Sequence, residues 1–226
     1  MMRMTIRKAL PVILLLCISF PSISQKKDFG IYYGLNGEIK IVKKLEFDLS
    51  ANIRTLDNAS KISLFFIDGS LMYKFNKILS AGAGYRFTEF FEDDDLYHPR
   101  HRWYSELRVK LPAGRFEISS RIRFQQSFKT YFENESDKEP YESLRFRLKT
   151  LYNIPSFPVN PYIAAESFLP LFSDTERKIE KNRFMAGAEY KISKKHSVEL
   201  EYMFQRDYTP KIKDRNIISV NYNFKF

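Results

Sequence analysis

From about residue 25 to the end, the chain alternates apolar and polar residues with a period of two. Leu45, Phe47, Leu49, Ala51 and Ile53 alternate with Glu46, Asp48, Ser50, Asn52 and Arg54. The pattern returns as Leu79, Ala81, Ala83, Tyr85 and Phe87 against Ser80, Gly82, Gly84, Arg86 and Thr88. Phe116, Ile118, Ile122, Phe124 and Phe128 oppose Glu117, Ser119, Arg121, Arg123, Gln125 and Lys129, and Leu144, Phe146 and Leu148 oppose Arg145, Arg147 and Lys149. Phe184, Ala186, Ala188, Tyr190 and Ile192 oppose Arg183, Met185, Gly187, Glu189 and Lys191; Val198, Leu200, Tyr202 and Phe204 oppose Glu199, Glu201 and Gln205. Successive side chains of a strand point to opposite faces, so each stretch is a strand with one apolar and one charged face. No helical stripe of period 3.6 interrupts the series.

The connections alternate in length. Short ones fall at Val42-Lys43-Lys44, Asn76-Lys77, Ala113-Gly114 and Ser193-Lys194-Lys195. Longer polar ones fall at Glu92 to Arg100, Glu133 to Pro140, Ser173 to Asn182 and Asp207 to Asp214. Outer-membrane barrels have short periplasmic turns and longer outside loops, so the alternation assigns the short turns and the C-terminus to the periplasm. The expected fold is all-β, an antiparallel up-and-down transmembrane barrel. About eleven strands can be marked, against the even count usual in bacterial barrels. The weak member is Phe29 to Ile41; read as a lumenal or capping segment it leaves ten strands, the preferred count, and one overlooked strand would make twelve.

The first twenty-four residues have a different character. Arg3, Arg7 and Lys8 precede an apolar run from Ala9 to Phe20, and Ser22-Ile23-Ser24 offers small residues at a cleavage site. This predicts a secretory signal removed before Gln25, leaving residues 25–226 as one domain. The apolar run is shorter than the roughly 20 residues of a spanning helix, which disfavours an uncleaved anchor. Cys17 is the only cysteine, and Leu16 before it is unlike the small residue that lipid modification requires. Cleavage would leave a thiol-free chain, without disulfides and compatible with an oxidising compartment.

Composition fits export into an outer membrane. Aromatic residues make up 16% of the chain, yet its mean hydropathy is −0.39. A helical membrane protein would be more apolar; a barrel need not be, because half of each strand faces a polar lumen. The net charge of +10 does not indicate nucleic-acid binding. The basic residues alternate with aromatics along strands and form no helical patch or tail.

The charged faces are dense in arginine beside glutamate. Arg86, Arg108, Arg123, Arg145, Arg147, Glu166, Arg183 and Glu189 are expected to line the lumen and to fix its shape by ion pairing, with ligand contact second. Unpaired charges inside a small barrel would cost several kcal/mol each. Aromatics near strand ends (Tyr73 and Phe75, Phe87 and Phe90, Trp103 and Tyr104, Phe128 and Tyr131, Tyr152) are assigned to interfacial girdles. A soluble periplasmic barrel would alternate too, with its apolar faces turned inward; the dense charges and the girdles favour the membrane.

The last strand is the most specific signal. Ile218, Val220, Tyr222, Phe224 and the terminal Phe226 alternate with Ser219, Asn221, Asn223 and Lys225. Tyr222, Phe224 and Phe226 resemble the C-terminal signal read by the barrel-assembly machinery. Further matches are scattered: Gly84-Tyr85-Arg86, His101-Arg102, Leu144-Arg145-Phe146-Arg147, Pro161-Tyr162 with Glu166 and Phe168, Arg183 with Gly187 and Tyr190, and Tyr202 with Gln205. In order and spacing the chain resembles the domain of unknown function 2490 family, predicted outer-membrane proteins of Bacteroidota-type bacteria. The resemblance implies an outer-membrane barrel of unassigned activity and transfers no catalytic residues.

Candidate chemistry is sparse. His98 and His101 lie beside the acidic run Glu92 to Asp95, and Ser105 shares a strand face with His101. Four residues of strand span about 13 Å, too far for a direct Ser–His hydrogen bond. His196 sits at a turn on the opposite side. An outer-rim lipid- or peptide-modifying enzyme is therefore a minor alternative. The acidic run lacks the spaced ligands of a calcium loop, and no metal or other cofactor is expected. The leading expectation is a monomeric barrel in outer-membrane lipid, structural or binding a small ligand in a charge-filled lumen; a narrow anion-favouring pore is the alternative.

Overall fold

The computed structural model describes residues 28–91, 96–132, 138–171, 179–208 and 211–226. The expected signal segment with Cys17, and the acidic run Glu92 to Asp95, lie outside the described residues. Eleven strands account for most of the rest: β1 (Asp28–Val42), β2 (Leu45–Leu56), β3 (Lys61–Lys74), β4 (Leu79–Phe91), β5 (Tyr97–Ala113), β6 (Phe116–Lys129), β7 (Tyr141–Tyr152), β8 (Val159–Pro170), β9 (Lys181–Lys191), β10 (His196–Asp207) and β11 (Lys213–Lys225). Each pairs with its sequence neighbours, and β1 pairs with β11, closing a barrel.

The strand count is neither ten nor twelve. The Phe29 to Ile41 segment, expected to lie in the lumen or cap it, is the body of the 15-residue strand β1. It is hydrogen-bonded to β2 on one side and to β11 on the other. An odd number of up-and-down strands leaves the first and last running the same way, so this one seam is parallel, from Asp28↔Arg215 to Glu38↔Lys225. All other pairs are antiparallel. Closure removes every free edge, and so satisfies β1 despite its weak strand propensity: Gly30, Gly34 and Gly37 dilute its pattern. The glycines have a steric use at the seam, where a Cβ on Gly34 would collide with the side-chain oxygen of Asn221. The parallel seam is directly testable. Paired cysteines at Leu35 and Tyr222, which are registered partners, should cross-link under mild oxidation in a background free of other thiols. A Leu35→Cys, Val198→Cys pair, separated by β11, should not. Cross-linking of the second pair alone would overturn the seam.

The barrel is apolar outside and charged inside. Leu35, Leu148, Ile163, Phe184 and Leu200 are all more than 50% exposed, whereas Arg123, Glu106, Glu166 and Gln205 are 5% exposed or less. This arrangement is the reverse of a soluble barrel. The connections on one rim are 43–44, 75–78, 114–115, 153–158 and 192–195; on the other they are 57–60, 92–96, 130–140, 171–180 and 208–212. The second rim carries the long loops, apart from the tight turn at 57–60, where Asp57, Asn58 and Ala59 all take left-handed backbone angles.

Candidate functional site

The lumen encloses a cavity of about 1170 Å³. Its walls are unlike one another because the inward residues differ in size. On β11 and β1 to β3, small polar side chains face it at mid-barrel and towards the short-turn rim (Ser219, Asn221, Asn36, Ser50, Asn52 and Ser70), whereas Tyr32, Arg54, Phe66 and Asp68 of the same strands face it nearer the long-loop rim. From β5 through β9, long charged side chains reach inward and pack against each other.

Three carboxylates organise the charged network, two on that packed side and one, Asp68, beside it on β3. Glu106 on β5 pairs with Arg123 on β6 at 2.5 Å and with Arg108 on its own strand. Glu166 on β8 is shared by Arg121 at 2.7 Å, Arg145 at 2.9 Å and Arg183 at 3.7 Å. Asp68 on β3 accepts from Arg86 Nε at 2.8 Å and from the Tyr104 hydroxyl at 2.6 Å. Towards the short-turn rim the charges approach balance: Arg108 reaches Asp48 at 3.4 Å, Arg147 reaches Glu201 at 4.0 Å and Lys149 reaches Glu199 at 3.7 Å.

Aromatic rings complete the network. Arg86 lies 3.8 Å from the ring centre of Phe66, Arg123 3.8 Å from Tyr104, and Lys149 3.5 Å from Tyr162. Arg145 and Arg183 both face Phe168, at 4.4 and 4.9 Å. A desolvated cation on an aromatic face gains of the order of 2 kcal/mol, which helps to offset burial. Two glycines make room for two of these rings. Gly84 is the registered partner of Tyr104, and Gly187 of Tyr162. A Cβ on Gly84 would stand 2.5 Å from the Tyr104 ring, and one on Gly187 2.7 Å from the Tyr162 ring. The hydroxyl of each tyrosine then donates to carboxylates, Tyr104 to Asp68 and Tyr162 to Glu199 and Glu201.

Of the residues expected in the lumen, Arg86, Arg108, Arg123, Arg145, Arg147, Glu166 and Arg183 all face it and take part in these contacts. Glu189 lines the lumen but carries no ion pair among the described residues. Its registered neighbour on β10 is Glu199, a like charge, so the two cannot pair. Tyr104 and Phe90 are not girdle residues. Tyr104 is 2% exposed and Phe90 lines the cavity. On a strand Trp103 and Tyr104 cannot share a face; Trp103 points outward and donates its Nε1 to Gln126 at 2.7 Å. Sequence reasoning passed over Asp68, Phe66, Phe168 and Tyr162 as lumenal residues. Even spacing was the available signal: Phe168 is two residues and Tyr162 four from Glu166, and Phe66 is two from Asp68.

The histidines do not form a site with Ser105. His101 is on the outer face, stacked on Phe128 at 5.2 Å and hydrogen-bonded to the Tyr85 hydroxyl. His98 stacks on Tyr131 at 4.3 Å, and His196 meets the Tyr222 hydroxyl at 2.8 Å at the other rim.

A model of one protein family matches residues 29–216, nearly the whole barrel. The chain belongs to the DUF2490 family. Its description is a protein of unknown function. Among solved structures, this DUF2490 member is similar to the β-domain of the Bordetella autotransporter BrkA, with a TM-score of 0.55 and 10% sequence identity over 82% of this chain and 85% of that one. At that identity the likeness concerns the fold, an outer-membrane type of β-barrel. A comparison with curated proteins finds no match.

Proposed function

We propose that this DUF2490 protein resides in the outer membrane and binds a small ligand inside its charged lumen, without serving as a wide channel. The observation that carries the reading is the combination of an apolar exterior with a lumen that is packed on one wall and open on the other. The exterior suits lipid, since exposed apolar belts of this extent on a closed barrel have no other solvent. The cavity is of the size that small-molecule sites occupy, several hundred to about a thousand Å³. The nearly dry side chains of Arg123, Glu106, Glu166 and Arg145 leave little free cross-section on the β5 to β9 side.

Several further properties belong to this reading. The short-turn rim and the C-terminus face the periplasm, the monomer is the working unit, and Tyr222, Phe224 and Phe226 on the last strand engage the barrel-assembly machinery. The test has two parts. Membrane fractionation with an electrophoretic shift on heating should recover a heat-modifiable species in the outer membrane; recovery in the soluble periplasm would overturn the membrane assignment. In planar bilayers the refolded protein should give no steady steps. Steady, salt-dependent conductance would instead establish the narrow anion-favouring pore.

A further inference from the structure

We infer that the half of the lumen nearest the long-loop rim is a binding site for a small soluble polyanion of the phosphate class. This rests on the lumenal-binding reading above and names its ligand. Arg54, Arg86, Arg102, Arg145 and Arg183 enter this half from five different strands. Arg54 is two residues from the end of β2, and Arg183 is two from the start of β9. Arg86 and Arg102 are registered partners on the adjacent strands β4 and β5, and Arg54 on β2 is near enough to Arg183 and Glu166 across the lumen for their charges to act on it. Closure of the barrel therefore gathers them into one positive chamber.

The two carboxylates deepest in that chamber are already engaged, while Glu180 at its rim accepts from the Tyr141 hydroxyl and Glu139 also lines the cavity. Asp68 holds Arg86, and Glu166 holds Arg145 and Arg183 together with Arg121. Arg54 has no carboxylate partner among the described residues. It is held by the rings of Tyr32 and Phe66, at 4.5 and 4.9 Å, and its buried Nε has no acceptor among the described residues. Arg102 likewise has no carboxylate partner among the described residues; its Nε donates to Ser127 Oγ at 2.8 Å. The buried Nε of Arg145 also lacks an acceptor among the described residues.

Guanidiniums left in this state favour an anion that brings several oxygens at once. Their planar donor forks match phosphate geometry, and their charge does not titrate away. The like charges repel one another until such a ligand joins them, so binding should be stronger for a multivalent anion than for chloride. Size agrees: the lumenal cavity that these arginines line, about 1170 Å³ in all, accommodates a ligand far larger than a halide. The nearer balance of charge towards the short-turn rim gives the ligand no comparable site beyond the chamber.

The probe is tripolyphosphate, titrated calorimetrically into the full-length protein refolded in a zwitterionic detergent at fixed sodium chloride concentration. Binding in the micromolar range is expected, with one ligand per barrel. R54Q together with R102Q should weaken it at least tenfold, while K110Q, near the opposite rim, leaves it unchanged. Folding of each variant is checked by its heat-modifiable mobility. Should the double variant fail to fold, the wild type still decides: tripolyphosphate must raise its thermal unfolding midpoint, and sodium chloride of matched ionic strength must not. No binding at millimolar tripolyphosphate, equal binding by the R54Q/R102Q variant, or equal protection by sodium chloride would each overturn the inference. The assay needs neither a membrane location nor a silent bilayer trace, so its failure is distinct from failure of the proposed function.

Discussion

Replacing Glu166 by glutamine should destabilise the barrel by about 3–5 kcal/mol, the cost of removing one partner from a buried ion pair. Glu166 is the only carboxylate within ion-pair distance of Arg145 and Arg183 among the described residues, and the nearer of two for Arg121. Its side chain is 3% exposed and that of Arg145 is 9% exposed. Glutamine keeps the volume and one acceptor oxygen but not the charge, so the guanidiniums repel without compensation. Urea unfolding in micelles, followed by the fluorescence of the single tryptophan Trp103 and by heat-modifiable mobility, would report the loss. Adding Arg145→Met to E166Q should recover part of it, because one uncompensated charge goes with the arginine. An E166Q midpoint within experimental error of wild type would show that Glu166 contributes no net stabilisation to the lumen.

That network illustrates what a linear sequence can and cannot disclose here. Which face of each strand is charged was readable, because Leu144, Phe146 and Leu148 against Arg145, Arg147 and Lys149 can be satisfied only by opposite surroundings. Which carboxylate meets which arginine was not readable. Arg121 and Glu166 are 45 positions apart, and they meet because the registers of β7 with its two neighbours set Arg121, Arg147 and Glu166 in one row, which loop lengths alone do not fix. The position of β1 was obscured for a different reason. Its glycines weaken the pattern, and the even count usual in bacterial barrels argued against it. Parallel pairing to β11 is a property of closure and leaves no local trace in residues 28–42. Adjacent aromatics misled in a third way: Trp103 and Tyr104 look equivalent by type, yet strand geometry sends one outward and the other beneath Arg123.

The second large effect is expected at Gly84, where no charge is altered. Gly84→Val should destabilise the barrel by about 3 kcal/mol, at the upper end of what overpacking alone costs. The added side chain would occupy the place of the Tyr104 ring, and Ser70 Cβ stands only 2.7 Å from the position of the new Cβ. Tyr104 cannot retreat, being 2% exposed with its hydroxyl bonded to Asp68 and its face covered by Arg123. Displacing it breaks the hydrogen bond and strips a partner from Asp68, which in turn loosens Arg86. Steric overpacking and the loss of a hydrogen bond to a charged group, worth about 1.5–3 kcal/mol, therefore act together. A double-mutant cycle separates this cause from a general intolerance of β4 to side chains. If Tyr104 is the obstacle, the Gly84→Val, Tyr104→Ala pair should be less destabilised than the sum of its single variants by at least 1 kcal/mol, as contacting residues are. Strict additivity would place the strain in the backbone of β4, and the glycine would then serve the strand and not the tyrosine that lies on it.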